Sequence, residues 1–145
     1  MPKRGEVDRV TGITEGRMRT LLKGDLRRTW RNTARKEFLL SVRRKATNPR
    51  TGRLWNVLDC VDCSRVMGVS EKEKRVKKDG SLEKRAKSVY EVDHVKGITP
   101  LVDIQLTLGD YWYDMMYGEM EVVCVKCHKK RTARQTRNRL SLKHK

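Results

Sequence analysis

The sequence predicts an α+β fold, and three observations carry that prediction. Apolar residues recur three or four apart through the first third of the chain, the period of a helix with one buried face. Short runs rich in β-branched and aromatic residues follow, bounded by Gly and Pro, as strands are. Two Cys-x-x-Cys pairs, Cys60/Cys63 and Cys124/Cys127, lie at the ends of such runs, a spacing suited to two halves of one tetrahedral metal site. The chain is expected to divide into a basic helical segment over 1–50, a metal-stapled core over 51–136 and a basic tail over 137–145.

Composition sets the scale of the core. Only 37% of the 145 residues are apolar and there is a single Phe, so little surface can be buried and a metal staple is expected. The formal net charge of +17 points to a polyanionic partner, because each Lys or Arg on a phosphate releases a condensed counterion. Nucleic acid leads on that ground. A membrane partner is not expected, for no long amphipathic helix and no apolar span is present. The N-terminus lacks the apolar stretch of a signal peptide, which predicts a cytoplasmic protein whose cysteines bind metal and do not form disulfides.

Residues 1–12 read as poorly ordered. A helix is expected from Thr14, with Met18, Leu21, Leu22 and Leu26 on one face and Gly24 as a weak point. A second, capped by Asn32 or Thr33, would carry Ala34, Phe38, Leu39, Val42 and Ala46, then stop at Asn48-Pro49 and Thr51-Gly52. The first fifty residues hold fifteen Lys/Arg against five Asp/Glu, too one-sided for ordinary surface mixing. Arg27, Arg28, Arg31 and Arg35 are the candidate phosphate contacts there. Arg53–Asp59 reads as a strand that delivers the first cysteine pair. Residues 64–88 are densely charged around Asp79-Gly80, a hairpin turn signal, and predict an exposed ribbon.

Ser88–Val95 predicts a second strand, ended by Gly97 and Pro100. From Gly97 to Val125 there is no Lys or Arg at all. A short helix is expected over 110–117, its Tyr111, Trp112, Met115 and Met116 serving as core, and a third strand over 120–124. Beyond Cys127 a basic helix is expected. Residues 126–145 hold nine Lys/Arg and no acid, with Lys129, Lys130, Arg131 and Arg134 as further candidate phosphate contacts.

Four thiolates would saturate a zinc ion and leave it structural. His128, directly after Cys127, is then available for other work, on the first turn of the last helix. Asp93-His94 supplies an oxygen and a nitrogen donor at a strand end. An oxygen ligand and a nitrogen ligand from facing elements would hold a hard divalent cation, and a remaining imidazole could take a proton from water near neutral pH. Those are the parts for metal-assisted phosphodiester hydrolysis. In a regular strand Asp93 and His94 point to opposite faces, so one shared site needs the strand to bend or end there.

Together "CVDC" at 60–63, "EVDHVKGITP" at 91–100 and "EVVCVKCHKKRTARQ" at 121–135 resemble the HNH endonucleases, in their small zinc-bearing bacteriophage form. The resemblance covers about residues 25–136 and implies a ββα-metal (His-Me finger) core. It implies His94 as general base, Asp93 and His128 as ligands of a catalytic divalent ion such as Mg²⁺, and Cys60, Cys63, Cys124 and Cys127 as ligands of structural Zn²⁺. The implied substrate is DNA, with the activity of a nicking or homing-type enzyme. Glu119 stands near the position of the family's middle asparagine. The competing expectation is a non-catalytic zinc-stabilised module that holds nucleic acid or a host protein on the same scaffold.

Overall fold

The computed structural model describes residues 12–74, 76–82 and 87–143. Of the residues 1–12 expected to be poorly ordered, all but Gly12 lie outside that range. The described chain is α+β, with helices α1 (Glu15–Asn32), α2 (Ala34–Val42), α3 (Ile104–Tyr117) and α4 (Val125–Lys143). Its strands are β1 (Arg44–Thr47), β2 (Leu54–Asp59), β3 (Val66–Gly68), β4 (Lys72–Glu73), β5 (Lys87–Ser88), β6 (Tyr90–His94) and β7 (Met120–Cys124). It forms two compact units, each drawn from two stretches of sequence. The first joins the chain up to Leu40 with His94–Glu119, and the second joins Ser41–Asp93 with the chain from Met120 onward. The two units are thus interleaved along the sequence.

In the first unit, α1 starts where the Thr14 hydroxyl accepts the Arg17 N–H, satisfying a donor that the first helical turn leaves over. It ends at Thr33, whose backbone leaves helical geometry (φ −120°, ψ −96°) and whose hydroxyl donates to the Thr29 carbonyl at 2.7 Å. That single break separates α1 from α2. Leu22, Leu26 and Trp30 of α1 pack against a buried core of Leu101, Tyr111 and Met115, joined by Ile98 and Leu108. Leu21, expected on the inner face, is exposed. Helix α3 begins earlier than the sequence reading placed it. The Asp103 carboxylate accepts the N–H groups of Gln105 and Leu106, a cap that starts the helix at Ile104 despite Gly109. Tyr111 and Met115 are buried as expected, with Trp112 and Met116 only partly so.

In the second unit, β1, β2 and β3 form an antiparallel sheet in that order, with Ala46 opposite Trp55 and Val57 opposite Gly68. The helix expected to run on to Ala46 ends at Val42, and residues 44–47 are strand. The Asn48–Gly52 turn, with Gly52 at φ +68°, folds the chain back so that β1 meets β2. Pairing with a preformed strand outweighs a weak helical period. Arg44 clamps Asp59 across that pair with two bonds of 2.7 and 2.8 Å. β3 also departs from the ribbon expected over 64–88: Met67 and Gly68 are buried, and a Cβ at Gly68 would lie 2.2 Å from the Trp55 ring. The ribbon itself is the β4–β5 hairpin, turning at Asp79-Gly80 as expected. β6 pairs with β7, and α4 leaves β7 without a linker. Val57, Leu58, Met67, Val122 and Val123 are buried with Cys60 and Cys124. Among the described residues no helix is long and apolar enough to cross a membrane.

Candidate metal centre

Two turns of chain bring the cysteines together. Cys60 closes β2 and Cys63 lies on the tight turn after it, where Ser64 takes φ +56° and its N–H donates to the Cys60 carbonyl. Cys124 closes β7 and Cys127 lies on the first turn of α4. The Val61 N–H donates to the Val122 carbonyl at 3.0 Å, which ties the first cysteine turn to β7. The four ligand atoms all lie within 4.8 Å of one another, and Cys63 Sγ is 3.8 Å from Cys124 Sγ. A regular tetrahedron with Zn–S bonds of about 2.3 Å has edges of roughly 3.8 Å, so the thiols have the size of a zinc site. Backbone N–H groups already aim at them: Cys124 N–H donates to Cys60 Sγ at 3.2 Å and Cys127 N–H to Cys124 Sγ at 3.4 Å. Burial pushes the Cys60 thiol up, and the N–H groups of Cys124, Cys63 and Asp62 outweigh it and bring it down to about 7. Cys127, sharing hydrogen bonds with Cys124 inside the cluster, is pushed up to about 12. Cys60, Cys124 and Cys127 are buried while Cys63 is exposed.

At the next residue of α4 a second pair forms. His128 Nδ1 donates to the Asp93 carboxylate, 2.9 Å from Oδ1 and 3.2 Å from Oδ2. An ionised carboxylate only accepts, so Nδ1 carries the proton. An oxygen and a nitrogen donor thus face each other across a normal hydrogen bond, with both side chains partly exposed to water.

Arg131, one turn beyond His128 on α4, organises the acids around this pair. Its Nε donates to Asp62 Oδ2 at 2.8 Å, Nη2 pairs with Asp62 Oδ1, and Nη1 pairs with Glu121. Nη1 also lies 3.7 Å from Asp93 Oδ2. Hydrogen bonding from Arg131 holds the Asp62 carboxyl below its usual range, and the Asp62 and Glu121 bonds raise Arg131 in turn. Asp62 sits inside the first cysteine turn, so this one guanidinium links the thiol cluster, β7 and Asp93.

His94 is held by its own unit. Its Nε2 is 3.0 Å from the Met115 carbonyl, and its ring lies 5.4 Å from the Trp30 ring at 37°. A carbonyl cannot donate, so Nε2 bears the hydrogen, and Nδ1 has no hydrogen-bond partner among the described residues. The segment that carries His94 is closed by backbone bonds: Val95 N–H to the Glu119 carbonyl at 2.9 Å and Gly118 N–H to the Asp114 carbonyl at 3.0 Å. The Asp114 carboxylate accepts the Thr99 hydroxyl and its N–H, which hold it below the usual range. A Cβ at Gly118 would lie 2.3 Å from the Asp114 carbonyl oxygen and 3.0 Å from His94 Cδ2, so only glycine fits there.

No protein-family model, curated protein or solved structure matches the chain. The site is therefore read from its own atoms. Two of the expected groupings are present as such, the four cysteines and Asp93 with His128. Of the candidate phosphate contacts, Arg27, Arg28 and Arg31 on α1 and Lys129, Lys130 and Arg134 on α4 are exposed, and Arg35 is half-buried. Arg131 is instead engaged by three carboxylates. That network, like the Met115 carbonyl, Trp30 and Gly118 around His94, comes together only in the folded chain. One clue was available: Arg131 is three residues after His128, hence on its face of the helix.

Proposed function

We propose that the chain is a metal-dependent DNA endonuclease, in which β6, β7 and α4 form a ββα-metal core stapled by zinc on Cys60, Cys63, Cys124 and Cys127. The observation that carries this reading is the Asp93–His128 pair, an oxygen and a nitrogen donor in contact at the residue directly after a thiol cluster of zinc dimensions. A divalent ion such as Mg²⁺ on Asp93 and His128 would supply positive charge to the scissile phosphate and the departing oxygen. His94 follows Asp93 directly in the chain, and its Nδ1 lone pair is the base in the reaction. A water gives its proton to Nδ1 as its oxygen bonds to phosphorus, and the P–O3′ bond breaks with its electron pair leaving on the 3′ oxygen. The products are a 5′-phosphate and, after protonation from solvent, a 3′-hydroxyl.

Two backbone acceptors, the Met115 and Glu119 carbonyls, support the base and its segment, so the reading does not depend on an asparagine amide at Glu119. The exposed Arg and Lys residues of α1 and α4 are proposed to track phosphates, which position a protein without specifying bases. Supercoiled plasmid tests the proposal. Zinc-loaded protein with Mg²⁺ or Mn²⁺ should nick it, while His94→Ala and His128→Ala should each lower the rate at least about a hundredfold with zinc retained. Binding without nicking under every divalent ion would assign the chain to the alternative, a zinc-stabilised nucleic-acid-binding module, which the exposed basic faces alone would serve.

A further inference from the structure

We infer that Arg131 is a built-in competitor for the divalent cation: a fixed positive charge beside Asp93 that keeps metal affinity low until a phosphate arrives. The inference rests on the reading of Asp93 and His128 as a divalent-ion site. Arg131 Nη1 lies 3.7 Å from Asp93 Oδ2, close enough to bias that carboxylate and too far to be a hydrogen bond to it. What holds the guanidinium is Asp62 and Glu121, each paired with it directly. A cation approaching Asp93 therefore meets a positive charge that cannot swing aside without breaking its bonds to Asp62 and Glu121.

The sign of the effect follows from Coulomb's law. Arg131 brings the one positive charge to a cluster whose carboxylates are Asp93, Asp62 and Glu121, and removing it leaves their attraction for a cation unopposed. A unit charge a few ångströms from a divalent ion is worth about tenfold in affinity even at the dielectric of water. A phosphodiester brings a negative oxygen that restores the deficit, so metal and nucleic acid should each tighten the other, reciprocally. Unlike an arginine that merely braces the fold, a competitor gains metal affinity when it is removed.

Equilibrium Mn²⁺ binding to the full zinc-loaded chain, without nucleic acid, reads this directly. Arg131→Gln should bind Mn²⁺ about tenfold more tightly than wild type, and Arg131→Lys, which keeps the charge, about as wild type does. Asp93→Asn placed on Arg131→Gln should abolish the gain. Unchanged or weaker binding by a zinc-retaining Arg131→Gln would overturn the inference, as would a gain that survives Asp93→Asn, since the ion would then sit on Asp62 and Glu121. Should Arg131→Gln lose zinc, Asp62→Asn decides. It leaves the guanidinium less neutralised and should weaken Mn²⁺ binding about threefold, and an unchanged affinity would overturn the inference. If wild type shows no Mn²⁺ binding that Asp93→Asn removes, it is the metal-site reading itself that falls.

Discussion

Gly118 and Tyr111 show how much a single atom decides in the first unit. A methyl group at Gly118 meets a backbone oxygen that has no flexible end to move, so Gly118→Ala should cost about 1–3 kcal/mol by overpacking. The displaced neighbour is His94, so its ring resonances should shift in the same variant, and thermal melts with imidazole NMR check both. The Tyr111 hydroxyl and Trp30 Nε1 are buried without a hydrogen-bond partner among the described residues. Removing such an orphan relieves a desolvation cost, so Tyr111→Phe should be neutral or stabilising by up to about 1 kcal/mol, read as a raised melting temperature. In the second unit, Asp62 sets a sign. Because Arg131 holds its carboxyl below the ordinary value of 3.8, its contribution to stability is complete above that pH and is lost as pH falls further. Water reaches the pair, which limits the effect to less than about 1 kcal/mol. Asp62→Asn should flatten the acid limb of the stability curve by that amount. Arg131's other partners were not legible, because Glu121 and Asp62 lie far from it in sequence and only folding brings them near.

At the scale of elements, local chemistry carried the reading well wherever a cap, turn or strand period was self-contained. β2, β6 and β7 lie within a residue or two of their expected positions, and the Asp79-Gly80 turn makes its hairpin. The failures were decided by a partner. Ala46 fits a helical period after Val42, yet β1 forms because β2 stands opposite it. Met67 lies in a charged run that reads as solvent-exposed, yet it is buried because β3 pairs with β2. Helix α4 depends on the thiol cluster for the position of its first turn. Zinc is bound by deprotonated thiols, so protons compete for the ligands and zinc retention should fall as pH is lowered. A zinc-release titration with a colorimetric chelator between pH 8 and 5 checks this, and Cys60→Ser should shift the release to higher pH.

For the molecule as a whole the dominant fact is a net charge of +17 on 145 residues. If the exposed cations of α1 and α4 meet phosphates, the logarithm of the binding constant for duplex DNA should fall linearly with the logarithm of salt. Its slope counts phosphates at about 0.9 each, and charge-removing variants at Lys129, Lys130 or Arg134 should each lower the slope by about one. Charge was fully legible in the sequence. The division into two interleaved units was not, because each unit joins stretches far apart in the chain and such joining has no local signature.

The spacing of the cysteines has a last consequence, one of connectivity. Cys63 and Cys124 bound by one ion turn everything between them, the β4–β5 hairpin included, into a ring closed by metal–sulfur bonds. The exposed turn at Asp79-Gly80 lies on that ring. A protease cutting there would leave two polypeptides that still travel as one particle, separating on a denaturing gel but not on a sizing column. Adding a chelator should then loosen them, so a metal that ordinarily shapes a fold would act in the nicked protein as a releasable crosslink.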